Sequence, residues 1–372
     1  MTISDLRVIL VPALLYAIAG SYDSSAAELP YTKLSVAVDK LLSAQIEPQN
    51  PGCAIGIIHQ GKYVHKAGYG MANLEYNIPI TSSTVFRTGS LSKQFTAMSI
   101  ALLAEKGVLD LDADVHKYLP DLIDYGYKVT VRQMIHHIAG MADYEHAIFK
   151  KSDGSDFRFG NQDFMSIEEF YKKVAKAGLK HEPETKYLYS NLSYFLLSMV
   201  VEKVSGVTLR KFAEAEIFNK LDMSATLFYD NVNEIVPQRA DGYIKLKDDS
   251  YEILMTNLSW VGGGGIFTNL DDFIAWDRNF YQNKLGAGTA DLINKVTTPH
   301  PVSNGYAYGL LVSKTGDEPF IGHNGGYVGF NTLYLRYHRL ELSVVALCNS
   351  TDNNAVGLGQ SVVNLYIAAL KK

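Results

Sequence analysis

At 372 residues, with 47% hydrophobic and 20% charged side chains, the chain has the composition of an ordinary globular protein able to bury a sizeable core. Its formal net charge of −5 and pI near 6.1 argue against a nucleic-acid surface, and no basic cluster carries the interleaved aromatics that single-strand binding uses.

Residues 1–27 read as an export signal. Arg7 and the amino terminus precede an apolar run over 8–19, and Ser25-Ala26-Ala27 supplies the small residues a signal peptidase prefers. The run is short for a membrane span and Pro12 interrupts it. Cleavage after Ala27 is expected, leaving a mature chain over 28–372 that works in the periplasm or outside the cell as one domain without an integral membrane span. Next come a helix over 34–42, a strand over 53–59, a turn at Gln60-Gly61-Lys62 and a strand over 63–69, the last three forming a hairpin signal. Apolar residues at helical spacing predict helices over 94–106, 131–137, 167–177, 193–204 and 209–217. Thr268-Asn-Leu-Asp271 resembles a capping box that starts a helix through Trp276. Strands are expected over 308–313, 327–337 and 342–347, and a closing helix over 362–370. The fold class is α/β of the α+β kind: an antiparallel sheet built from both chain ends (31–89 and 290–372), flanked by helices, with a mostly helical region (90–289) inserted between them. Cys53 and Cys348, the two cysteines, both lie in apolar strand-like runs. An exported protein permits a disulfide between them, and two buried small hydrophobes remain the other reading.

Ser90-Leu91-Ser92-Lys93 places a hydroxyl and an amine on one helix face, at positions i and i+3, where the amine of Lys93 reaches the oxygen of Ser90. Gly89 permits a tight approach, and the unpartnered N–H groups of the first turn suit a developing oxyanion. A proton relay is offered by Tyr189-Ser190-Asn191, at the mouth of the helix expected from Ser193. Tyr229-Asp230-Asn231 and Tyr281-Gln282-Asn283 match the same string, but one lies in a turn and the other at a helix end. For a polar strand edge, Lys314-Thr315-Gly316 and His323-Asn324-Gly325-Gly326 compete. The first leads into turn chemistry at a hairpin tip, whereas the second precedes an expected strand with glycines that let a substrate approach.

Together these residues resemble the serine β-lactamase and penicillin-binding protein superfamily, in its class C branch of β-lactamases, D,D-carboxypeptidases, D-aminopeptidases and esterases. The likeness rests on Phe86-Arg-Thr-Gly-Ser-Leu-Ser-Lys93, Met134-Ile-His-His-Ile-Ala-Gly140 with Asp143-Tyr144, Tyr189-Ser-Asn191, the glycine run before Ile266, and Gly322-His-Asn-Gly-Gly326. Glu184, where glycine is usual after Pro183, and Ala139, where serine is common, depart from it. The resemblance implies Ser90 as acyl-forming nucleophile and Lys93 as proton acceptor or electrostatic partner. It implies Tyr189 as general base and acid, Asn191 as orienter of the substrate amide, and the N–H groups of Ser90 and Gly326 as oxyanion hole. Which residue takes the first proton stays open.

His323, in place of a lysine, is mostly neutral at pH 7, so strong β-lactamase activity is not expected. It is expected instead to donate a hydrogen bond to substrate or to Tyr189. The glycines at 262–265 lack any phosphate-cradle context, Gly-x-Ser-x-Gly is absent, and the His136, His137, Asp143, Glu145 and His146 group lacks metal-ligand spacing. No cofactor and no metal are expected. The function expected is an exported D-amino-acid peptidase or carboxypeptidase of penicillin-binding-protein type. The alternatives are an esterase or weak β-lactamase, and a non-catalytic penicillin-sensing or scaffold domain. Its partners would be a small peptide, ester or β-lactam, with peptidoglycan a candidate and nucleic acid excluded. Specificity would come from the loops over 148–164 and 243–259.

Overall fold

A computed structural model describes residues 31–143, 155, 157 and 160–371, so the expected export signal and most of the loop over 148–164 lie outside the described residues. The chain opens with helix α1 (Tyr31–Ser43), strands β1 (Cys53–His59) and β2 (Lys62–Tyr69), and three short strands, β3 (Met71–Asn73), β4 (Ile78–Pro79) and β5 (Phe86–Arg87). Helices α2 (Lys93–Glu105), α3 (Val131–Ile135), α4 (Ile167–Val174), α5 (Asn191–Ser205) and α6 (Leu209–Ala213) follow. After β6 (Leu227–Phe228), β7 (Tyr243–Lys245), β8 (Tyr251–Ile253) and β9 (Ile266–Thr268) come α7 (Leu270–Gln282) and α8 (Ala290–Thr297). Strands β10 (Leu311–Thr315), β11 (Glu318–Tyr327), β12 (Phe330–Tyr337) and β13 (Leu342–Cys348) lead into α9 (Ala355–Leu370).

The main sheet has the order β10-β11-β12-β13-β1-β2, and each adjacent pair is antiparallel. The chain ends meet where β1 pairs with β13 in the register Cys53↔Cys348, and these two cysteines form a disulfide. Every residue of β1 and β13 is buried, because both sheet faces are covered. Cys53, Ile55 and Ile57 pack with Val38, Val362 and Tyr366 from α1 and α9. The alternate residues Ala54 and Ile58 join the larger core around α2, α5 and α7. Helix α2 is the centre of that core: Lys93 to Leu103 are all buried, the polar Lys93, Gln94, Thr96 and Ser99 included.

The carboxy-terminal third differs from the sequence expectation. Residues 318–327 form the strand β11, so His323 sits inside a strand rather than ahead of one, and Tyr327 ends β11 instead of beginning β12. Glycine-rich Gly322 to Gly326 has no intrinsic strand signal; pairing with β12 imposes the extended form, while β10 reaches only as far as Gly322. Tyr308 is not in a strand, since Gly309 turns the chain at φ +70°, with its Cα so near Gln94 N that a Cβ would sit 2.4 Å from it. Other details shift as well. Helix α6 stops at Ala213 and continues as a π-helical turn over Glu214–Phe218, α7 is capped by Asn269 accepting from Asp272 N rather than by Thr268, and part of 243–259 forms the β7–β8 hairpin.

Candidate active site

Ser90 lies on a single 3₁₀ turn, Gly89–Ser92, that runs into α2. Gly89 has φ +56°, a region glycine tolerates, and it lies against the backbone of Gly326. Ser92 holds the turn from inside: its hydroxyl donates to Gly89 O at 2.6 Å and accepts from Ile266 N at 3.0 Å. Strand β11 packs on the turn at Gly325, where a Cβ would stand 2.1 Å from Thr88 O. Thr332 of β12 ties the same carbonyl, donating to Thr88 O at 2.7 Å. The nucleophile-bearing turn is thus clamped between the sheet edge and the Gly262 to Gly265 segment.

That geometry brings Ser90, Lys93, Tyr189 and Asn191 together. Lys93 Nζ lies 3.1 Å from Ser90 Oγ, 2.6 Å from Asn191 Oδ1 and 2.7 Å from Gly263 O. Tyr189 Oη lies 2.9 Å from Ser90 Oγ on the other side. Ser90 opens into a cavity of about 130 Å³ shared with Asn191, Trp260, Gly263, Gly264 and Gly326. Gly326 is exposed beside it, and His323 and Gly325 alternate with it along β11. Tyr229 and Lys314 have no place in this arrangement: Tyr229 packs with Phe267, and Lys314 is an exposed residue of β10.

Lys93 is fully buried, and burial pushes its amine down to about 7, with Asp143 opposing the shift. A neutral amine has two N–H donors and one lone pair. Asn191 Oδ1 and Gly263 O are acceptors only, so they take the two donors, and the lone pair is left for the Ser90 hydroxyl proton. Burial raises the Tyr189 phenol, and the bond to Ser90 offsets this only in part. Tyr189 is therefore a resting proton donor. His323 is buried and neutral, pushed down to about 4 by burial first and by Lys93 second. Its Nε2 bonds Tyr306 Oη at 2.9 Å, not Tyr189, because the Tyr189 ring lies 6.2 Å away, centroid to centroid.

Asp143 and the Gly263 carbonyl escaped the sequence reading of individual roles. Asp143 accepts from Asn191 N at 2.9 Å and from Asn191 Nδ2 at 3.0 Å, which fixes the amide so that Oδ1 faces Lys93. The glycine run was the available signal for Gly263. Gly262 and Gly265 have φ of +110° and +99°, and a Cβ on Gly262 would stand 2.3 Å from Tyr194 O. His137 accepts from Ser190 N at 3.1 Å and packs its ring 4.3 Å from that of Tyr189. The Glu184 departure also has a physical meaning: the position has φ +63°, which explains why glycine suits it, and Glu184 instead accepts a bond from Gln133 Nε2.

A Ser-x-x-Lys pair with its lysine buried, a tyrosine on the serine and a glycine-rich strand edge together match the site pattern of the serine β-lactamase-like proteins. Residues 38–366 match the Beta-lactamase family model, and the chain belongs to that family. It is 26% identical over 321 residues to Penicillin-binding protein 4* of Bacillus subtilis, covering 79% of this chain and 67% of that one. It is 27% identical over 314 residues to a D-aminopeptidase of Gluconobacter oxydans, covering 83% and 58% respectively. Among solved structures, the octameric penicillin-binding protein homologue from Pyrococcus abyssi superposes with a TM-score of 0.78 at 25% identity, over 91% of this chain and 78% of that one. The chain spans about two thirds or less of the length of these two curated relatives.

Proposed function

We propose that this protein is a serine hydrolase that forms an acyl-enzyme on Ser90 and acts on D-amino-acid peptides or amides. The observation that carries this reading is the position of Ser90 Oγ between a buried, readily neutralised amine at 3.1 Å and a phenol at 2.9 Å. Lys93 takes the Ser90 proton as Oγ attacks the substrate carbonyl carbon, and the oxyanion is received by the N–H groups of Ser90 and Gly326. Tyr189 gives its proton to the leaving nitrogen or oxygen as the C–N or C–O bond breaks, and the Lys93 ammonium restores the phenol. Water then attacks the ester of Ser90 through the same groups in reverse. Asn191, held by Asp143, orients both the amine and the substrate amide.

A neutral His323 bonded to Tyr306 offers no fixed cation to a terminal carboxylate, which supports amide or ester substrates over strong β-lactam turnover. The D-aminopeptidase relative supports the amide side of that choice, and an esterase is the second reading because the same neutral edge accepts small acyl esters. Export is part of the proposal, resting on Arg7, the apolar run over 8–19 and Ser25-Ala26-Ala27. The test is labelling of the folded protein with a fluorescent penicillin and with a fluorophosphonate, located by mass spectrometry. It is followed by a panel of D-Ala-D-Ala peptide, D-aminoacyl amides, p-nitrophenyl esters and a cephalosporin. Labelling of Ser90 and highest kcat/KM on D-aminoacyl amides are expected; failure of both probes to label Ser90 removes the enzyme reading.

A further inference from the structure

Three residues before Ser90, Arg87 of β5 is only 2% exposed and has no carboxylate partner among the described residues. Its Nη2 donates to Leu258 O at 3.2 Å, while its buried Nε has no acceptor among the described residues. The guanidinium lies 4.5 Å from the Tyr327 ring centroid, 5.7 Å from that of Phe267 and 6.0 Å from that of Tyr229. Aromatic faces recover part of the cost of burying this charge and leave the larger part of the desolvation penalty standing. Asp230 and Glu234 both bind Arg210, and Asp241 accepts from Asn73 Nδ2 at 2.7 Å.

Arg87 and a second arginine, Arg239, line one cavity of about 290 Å³, together with Asp241, Thr256, Asn257 and Asn161. Arg239 is exposed and forms no ion pair with a described residue, and its charge disfavours that of Arg87 further. Two arginines, one of them deeply buried, share the hollow with a single carboxylate, Asp241, so positive charge is in excess there. The remaining walls, including Met255 and Phe267, are apolar and suit the body of an organic ligand. Tyr327 joins this cavity to the Ser90 cleft: its ring covers Arg87 while it also lines the cavity at Ser90. Along β11, the arginine site thus follows Gly326, whereas neutral His323 precedes it.

We propose that this cavity is a carboxylate-binding site, in which the Arg87 and Arg239 guanidinium groups take the carboxylate of a small organic acid beside the Ser90 cleft. A planar carboxylate matches the guanidinium fork, and Thr256 and the two asparagines supply neutral donors around it. The carboxylate has two sources, the acyl part of a substrate or a free acid, and the experiment separates them. Binding does not require the hydrolase reading, so the first arm uses calorimetry on full-length wild type and on Ser90→Ala, titrated with glutarate and with uncharged glutaramide. Glutarate alone should bind, and Arg239→Gln should weaken it at least fivefold; Arg87→Met should abolish it, and if that variant fails to fold by circular dichroism, Arg239→Gln carries the test.

The second arm rests on the hydrolase reading and compares kcat/KM for N-glutaryl- and N-butanoyl-D-alanine p-nitroanilide. A preference of at least tenfold for the acidic acyl group, lost in Arg239→Gln, assigns the carboxylate to the substrate. Glutarate binding without that preference assigns it to a free acid. No glutarate binding at millimolar concentration together with no acyl preference overturns the proposal, as does glutarate binding of equal strength in wild type and Arg239→Gln.

Discussion

Replacing Lys93 by methionine separates the chemical role of the amine from its structural cost. Burial lowers the amine from 10.5 to about 7, a gap equivalent to about 5 kcal/mol at about 1.4 kcal/mol per pKa unit. Below pH 7 the amine is protonated in the folded and the unfolded chain alike, and the folded state bears the whole penalty. Between 7 and 10.5 the unfolded chain keeps its proton while the folded chain gives it up, so wild-type stability rises with pH relative to Lys93→Met by about 1.4 kcal/mol per unit. Methionine also leaves Asn191 Oδ1 and Gly263 O without their donor, at a cost of about 1–3 kcal/mol each, which offsets much of the gain from removing the charge. Those acceptors do not titrate, so the pH dependence survives the offset. Guanidinium unfolding of both proteins should show the variant's relative advantage shrinking by about 2 kcal/mol between pH 7 and pH 9. A constant difference across that range would refute the argument, since Lys93 would then be an ordinary ammonium and some other group would have to take the Ser90 proton.

Wild-type kcat/KM should rise through a midpoint near 7 as Lys93 becomes neutral. In Asp143→Asn that midpoint should move to lower pH, because the Asp143 charge is what raises the amine, and kcat should fall roughly tenfold as Asn191 loses an acceptor. A pH–rate profile in which the midpoint stays put or rises contradicts the assignment. Tyr189→Phe should lower kcat by about 10²- to 10⁴-fold with KM little changed, measured on the best amide or ester of the panel. An unimpaired variant means the leaving group finds its proton elsewhere. Two neighbouring glycines should behave differently on thermal and denaturant unfolding. Gly325→Ala meets Thr88 O at 2.1 Å and Thr332 Oγ1 at 2.3 Å and should cost about 1–3 kcal/mol. Gly326→Ala meets nothing within 4 Å and should stay within about 0.5 kcal/mol of wild type. Equal losses would mean the strand does not seat on the Ser90 turn as described.

Local patterns in the sequence were enough for most helices and the amino-terminal hairpin, though not for α8, because apolar spacing and caps act over a few residues. The hairpin between β1 and β2 turns at Gln60 and Gly61, both at positive φ, as its turn residues suggest. Strand β11 was not legible, since a run such as Gly322-His-Asn-Gly-Gly326 becomes extended only when β12 pairs with it. The Cys53–Cys348 pairing was undecidable for the same reason: two residues separated by 295 positions become opposite only through the β1–β13 register.

The residue types of the candidate site were determined by the sequence alone. Ser90-Leu-Ser-Lys93, Tyr189-Ser-Asn191 and His323-Asn-Gly-Gly326 carry their chemistry in side chains and short spacings that need no fold to be recognised. What they do to one another was decided by tertiary structure. The Lys93 amine is lowered because α2 is enclosed on every side, and its lone pair is turned to Ser90 because Asn191 and the Gly263 carbonyl, far off in the chain, occupy its donors. His323 is neutral and bonded to Tyr306 because β11 is buried there. Charge state and proton direction depend on desolvation and on partners brought from distant segments, and both come into being only when the chain has folded.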